Sequence, residues 1–86
     1  MNLTEKIQEA IKNKKVVIGF KESVKFIKLN KPELIVISRN APDSMKKEIE
    51  YLAKLDGIRI ETVENSKELG IICGKPFPVT TLVIKG

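Results

Sequence analysis

Eighty-six residues suffice for one compact domain and are too few for two, and a hydrophobic content of 42% excludes a disordered tail. The chain has no His and a single cysteine, Cys73, which excludes an internal disulfide, a cysteine-based metal site and the commonest general base. Its formal charge of +5 lies wholly in residues 1–31, where eight lysines face Glu5, Glu9 and Glu22, while residues 32–86 hold eight basic and eight acidic groups.

That asymmetry is the footprint expected of a polyanion site, although an ordinary lysine-rich solvated surface carries the same charge. Residues 1–10 alternate charged and apolar groups without a signal-peptide core. No apolar run approaches the roughly 20 residues that span a bilayer. A soluble, intracellular chain that makes no membrane contact is expected.

In chain order, Leu3, Ile7, Ala10 and Ile11 recur at helical spacing, with Asn2 or Thr4 available as a cap. Lys15 to Gly19 is a short β-branched run closed by glycine, predicted to be a buried strand. Phe20, Val24 and Ile27 mark the apolar stripe of a second helix, which Lys31-Pro32 stops. Leu34 to Ile37 is a second continuous apolar strand, leading into the loop Ser38-Arg39-Asn40-Ala41-Pro42. Asp43 or Ser44 is expected to cap a third helix whose apolar face is Met45, Ile49, Leu52 and Leu55, ended by Asp56-Gly57. Ile58 and Ile60 alternate with Arg59 and Glu61, which predicts a third strand less buried than the first two. Asn65 and Glu68 resemble a capping box, opening a short fourth helix that ends near Gly70 to Gly74. A loop with Lys75, Pro76, Phe77 and Pro78 precedes a last strand from Val79 to Ile84. Helices alternating with strands predict a three-layer α/β/α sandwich, one domain over residues 1–86, with a mostly parallel sheet.

Ligands of open α/β sheets collect at the carboxyl ends of strands. Gly19 sits at such a turn, but Gly19 to Val24 lacks the further glycines of a dinucleotide fingerprint, and no phosphate loop is present. What remains is a helix N-terminus whose free N–H groups suit any phosphate. Lys21, Lys25 and Lys28 share one helix face, opposite Phe20, Val24 and Ile27. They form either a wet surface or a phosphate-binding row, and their place at the sheet's rim favours the second. Asn40 can cap the third helix or, if exposed, both donate to and accept from a base edge. Phe77 between two prolines either plugs the core or forms a stacking platform for an unstacked base. Cys73 reads as a small buried apolar residue, since no His activates it. Glu48 and Glu50, two apart on a helix, do not face each other for acid–base work.

Four segments carry a resemblance to a known family. They are Val17 to Lys21, Leu34 to Pro42, Glu48 to Ala53, and Glu68-Leu69-Gly70 through Cys73 to Phe77. The chain resembles the family of large-subunit ribosomal protein thirty of archaea and eukaryotes, within the superfamily of the archaeal kink-turn protein L-seven-Ae. The resemblance runs from about Ile7 to Ile84 and is densest in Arg39-Asn40-Ala41-Pro42 and Glu48-Ile49-Glu50-Tyr51. It implies a four-stranded mixed sheet whose last strand runs antiparallel. It further implies a ribosome-associated, cytoplasmic protein without cofactor or catalytic activity, placed among its subunit neighbours and monomeric when free. Its partner would be a kink-turn in ribosomal RNA, a bulged internal loop flanked by sheared G·A pairs. Transferred to this chain, Gly19 and Phe20 would form the close-approach turn, while Lys21 and Lys25 would meet backbone phosphates or a guanine edge, with Lys28 in the same RNA-binding row. Asn40 would contact a base, and the loop of Gly74, Lys75 and Phe77 would stack near the bulge. Glu22 departs from the pattern, because kink-turn readers of the L-seven-Ae branch carry Asn-Glu after the turn and the ribosomal branch Lys and a small polar residue. Two roles stay open for it: accepting from a guanine edge, or favouring the helix N-terminus by charge. The other readings are a free-standing kink-turn binder of a guide-RNA particle or a messenger RNA, a nucleotide-binding enzyme, and a protein-interaction module using residues 43–68.

Overall fold

The computed structural model describes residues 2–86; Met1, with which the expected domain begins, lies outside them. Four helices and four strands alternate: α1 (Leu3–Lys12), β1 (Val16–Ile18), α2 (Phe20–Leu29), β2 (Leu34–Ser38), α3 (Asp43–Asp56), β3 (Ile60–Val63), α4 (Ser66–Ile72) and β4 (Thr81–Ile84). The strands form one sheet in the order β1-β4-β2-β3. Strand β2 is parallel to β3, whereas β4 is antiparallel to both β1 and β2.

The sheet is therefore mixed, as the family resemblance implies, and not mostly parallel. The loop after α4 decides the direction of β4: it does not carry the chain to the far end of the sheet for a parallel return. The chain instead doubles back on α4, where the Val79 N–H donates to the Ser66 carbonyl at 3.0 Å. Strand β4 then enters from the rim at which β3 ended.

Alternation along the two central strands sorts the core into two layers. Leu34 and Val36 of β2, with Leu82 and Ile84 of β4, pack under Ile7 and Ala10 of α1, Leu69 of α4 and Cys73, the residue that caps α4. Ile35, Ile37 and Val83 face the other way, against Ile27 of α2 and Ile49, Leu52 and Ala53 of α3. Every residue of β2 and β4 is buried, so both strands read as continuous apolar runs.

Several local expectations change. Strand β1 is only half-buried, because it is an edge strand paired to β4 alone; β3, the other edge, is the least buried of the first three strands, as its alternation predicts, with Thr62 exposed. Neither Asp43 nor Ser44 caps α3: Pro42 holds the N-cap position without a side-chain bond, and Asp43 lies in the first turn, where its charge complements the helix dipole. Leu55 is 63% exposed. It stands about 120° around the helix from Ile49, off the stripe that Ala53 completes. Strand β4 begins at Thr81 and not at Val79, whereas α4 ends at Ile72, within the expected Gly70 to Gly74. Asn2 Oδ1 accepts from the Glu5 N–H and Asn65 Oδ1 from the Glu68 N–H, so both expected caps form.

Candidate nucleic-acid interface

The carboxyl ends of β1, β2 and β3 and the start of β4 share one rim of the sheet, and five hydrogen bonds stitch the loops there together. The Gly19 N–H donates to Thr81 O at 2.9 Å, Ser38 N–H to Thr80 O at 2.9 Å, and Arg39 N–H to Val63 O at 2.9 Å. Ser66 N–H donates to Asn40 Oδ1 at 2.9 Å, and Val79 N–H to Ser66 O. Three loops far apart in sequence thus form one continuous edge.

At the first loop, Gly19 occupies φ 109°, ψ 150°, a conformation that residues with a side chain rarely adopt. It is the N-cap of α2 and offers no side-chain bond, so the opening N–H groups of the helix remain available to an outside acceptor. The space beside its Cα is open. Lys21, Lys25 and Lys28 are exposed and take part in no ion pair among the described residues. They do not all sit at the rim, because α2 runs away from it and Lys28 lies about 10 Å further along the axis than Lys21. Glu22 is exposed in the first turn of α2, where its charge favours the helix start. Phe20 is half-buried and packs against the α2–α3 core layer.

At the second loop, Asn40 is exposed and does not cap α3. Its side-chain carbonyl instead serves the first residue of α4, across 26 positions of sequence. Arg39 beside it is only loosely opposed by Glu64, at 4.0 Å with both side chains about 70% exposed, a geometry worth little in water.

The third loop leaves α4 through Gly74, left-handed at φ 70°, with Gly74 N–H donating to Ile71 O and Lys75 N–H to Gly70 O. Phe77 is 54% exposed, so it does not plug the core. With Ile71, Lys67, Lys75, Pro76 and Pro78 it borders an open cleft of about 400 Å³. Gly70 makes this placement possible. A Cβ there would collide with the Phe77 carbonyl oxygen and meet Pro78 Cα at 3.3 Å, so only glycine lets the loop lie against the helix.

Gly70, Ser66, Lys67, Ile71 and Arg39 were not singled out from sequence as site residues. A glycine inside a helix costs about 1 kcal/mol relative to Ala, and that cost is the one readable sign of close packing at position 70. Nothing local marks Ser66, whose part depends on a residue 26 positions earlier.

Burial pushes the Cys73 thiol up, with Lys75 acting weakly in the opposite direction, which disfavours the reactive thiolate. Among the described residues no three His, Cys, Asp or Glu gather in a way that would hold a metal ion, and no helix is long and apolar enough to cross a membrane.

Known proteins match both the sequence and the shape. The chain is 41% identical over 86 residues to a large ribosomal subunit protein eL30 of Methanothermobacter thermautotrophicus, covering 99% of this chain and 88% of that one. It is 36% identical over 85 residues to the protein of that name from Methanocaldococcus jannaschii, covering 98% and 77%. A eukaryotic relative so named, from Branchiostoma belcheri, is 39% identical over 84 residues, covering 96% and 74%. In three dimensions a Giardia lamblia 15.5kD RNA binding protein superposes with TM-score 0.84 at 19% identity, over 98% of this chain and 71% of that one. A Bacillus halodurans protein of unknown function reaches 0.88 at 20%, over 96% and 83%; both show the shared fold. Residues 1–86 match the profile of the ribosomal protein L7Ae/L30e/S12e/Gadd45 family, and the chain belongs to it.

Proposed function

We propose that this chain is a structural, non-catalytic constituent of the large ribosomal subunit that grips a kink-turn in ribosomal RNA. The observation that carries the reading is the stitched rim, which sets the Gly19 turn with Lys21 and the exposed amide of Asn40 along one edge and ties to it, through Val79 and Ser66, the loop that bears the exposed ring of Phe77. The relatives are named large ribosomal subunit proteins, and a protein of the same fold is named as RNA-binding.

Each element has a physical task. A-form RNA hides its bases in a deep major groove, so specific contact falls on bulges and splayed bases. The N-terminus of α2 and Lys21 meet the backbone at the kink, and Lys25 and Lys28 follow the phosphates away from it. Glu22 supports the helix start. Phe20 packs beneath the turn and keeps it rigid. The Gly74–Lys75 turn carries Phe77 to the bulge, where a base with an exposed π-face stacks on it. The residues act as one RNA-binding unit, ribosome-associated in the cytoplasm, monomeric when free and without a cofactor.

The test is binding of the purified protein to a kink-turn RNA, beside a copy whose sheared G·A pairs are replaced by Watson–Crick pairs, over a salt series. Tight binding to the kink-turn alone is expected, with about three to six phosphate contacts setting the logarithmic salt slope. Equal, weak and salt-labile binding to both RNAs would reduce the lysines to a general polyanion surface and remove the kink-turn assignment.

A further inference from the structure

The two edges of the sheet are unequally protected. On β3, Glu61 pairs with Arg59 at 2.7 Å, and charge on an edge strand discourages another strand from pairing there. The other edge, β1, is Val16-Val17-Ile18, without a charge, a proline or a bulge; its short length is the one guard it has. Its ladder to β4 fixes which backbone groups stay free. Gly19 N–H donates to Thr81 O and Lys85 N–H to Lys15 O, so Val17 and Val83 form the bonded pair between them. Val16 and Ile18 therefore turn their N–H and C=O groups outward, and neither residue makes a backbone bond elsewhere among the described residues. Apolar surface flanks this edge on both faces. Towards α2, Val17, Phe26 and Leu29 border an open cleft of about 220 Å³, and Leu29 is 73% exposed. Towards α1, Val16, Ile18 and Ile11 are half-buried. At the start of the strand Lys12, Lys14 and Lys15 are exposed and enter no ion pair among the described residues.

We infer that the outer edge of β1 is a docking site for an extended, acidic segment of a neighbouring protein, which joins the sheet as a further strand. Main-chain bonds to Val16 and Ile18 supply the register, and side chains that alternate across the added strand meet Val17, Phe26 and Leu29 on one face and Ile11 on the other. Charge selects the occupant. The three free lysines at the start of β1 favour carboxylates on the incoming segment, while the cleft itself is balanced by Glu22 and Lys25. A second copy of this chain fits poorly: antiparallel pairing of two β1 edges would set Lys14 and Lys15 of one chain against the Lys21 end of the other, and each chain carries +5. A phosphate backbone lacks the donors that the outward carbonyls of Val16 and Ile18 require. The docking edge takes none of the loops that form the proposed RNA-binding rim and does not depend on the kink-turn reading.

The probe is a short synthetic peptide of valine and threonine with glutamates at both ends, titrated to millimolar concentration into the purified full chain. Amide hydrogen exchange at Val16 and Ile18, read by NMR, should slow as the peptide binds. Methylating alternate backbone nitrogens of the peptide separates its two edges, since only one of them faces β1. One methylated set should weaken binding by about tenfold, and the other should leave it unchanged. A peptide with lysines in place of the glutamates should bind several-fold more weakly to the wild type. The double variant Lys14→Glu, Lys15→Glu changes only exposed side chains, so it should melt with the wild type and reverse that preference. Unchanged exchange at Val16 and Ile18, equal weakening by both methylated sets, or equal binding of the two flanking charges would overturn the proposal. Slowing of the same amides by RNA alone would assign the edge to nucleic acid, and slowing by rising protein concentration alone to a second copy; either would overturn it as well.

Discussion

Gly70→Ala tests the link between helix packing and the loop that carries Phe77. The added Cβ would strike the Phe77 carbonyl oxygen and press on Phe77 C at 3.2 Å and Pro78 Cα at 3.3 Å. All three are backbone atoms, so no side-chain rotation relieves the contact and the loop itself must move. Overpacking of this kind lies near the upper end of its range, about 3 kcal/mol, while alanine returns about 1 kcal/mol of helix propensity. The net loss of about 2 kcal/mol corresponds to a melting temperature lower by about 10 °C for a chain of this size. Binding should suffer separately. Under the proposed function, displacing Phe77 would remove a base–aromatic stack, so affinity for the kink-turn should drop by about ten- to hundredfold even well below the melting point. Thermal unfolding by circular dichroism and titration of a labelled kink-turn at 25 °C, chosen as an ordinary reference temperature, read the two effects independently. A variant that melts at or above the wild-type temperature and binds unchanged would refute the reasoning, because the loop would then tolerate a side chain where the geometry leaves no room.

Three further outcomes are expected. Replacing Lys25 or Lys28 with Ala should weaken binding evenly across kink-turn sequences and reduce the logarithmic salt slope by about one per lost phosphate contact; an unchanged slope would place that lysine outside the interface. Asn65→Ala removes the acceptor that takes the Glu68 N–H at 2.7 Å, and should lower stability by about 1 kcal/mol in a denaturant titration. Thr81→Val replaces a fully buried hydroxyl that has no hydrogen-bond partner. Because an unpaired buried polar group costs about 1–3 kcal/mol, the variant should melt higher than the wild type, and a lower melting temperature would mean that the hydroxyl is satisfied after all.

Local patterns made most of the fold legible. The eight elements follow from apolar periodicity and from punctuation by Gly19, Pro32 and Gly57, and the caps at Asn2 and Asn65 form as their spacing predicts. Where local reading failed, a longer-range constraint prevailed. Leu55 falls off the buried stripe because Ala53 completes it, and β1 is half-buried because it has one neighbour. The direction of β4 depends on the loop after α4 folding back to Ser66, and the family resemblance, not the alternation of elements, anticipated it. At the site, the lysine row and the Gly19 turn were readable because each is a local signal of charge spacing or backbone freedom.

By itself, then, the amino-acid order determined which residues form helices and strands, where the excess charge lies, and that Gly19 opens a helix. These are properties of neighbours within a few positions, set by side-chain periodicity and backbone sterics. Only the tertiary structure decided that Phe77 faces solvent, that Gly70 makes room for its loop, and that Asn40 commits its carbonyl to Ser66. Each of those depends on a contact between segments whose spacing in the chain carries no energy of its own, and which meet only because two core layers bury the sheet between them.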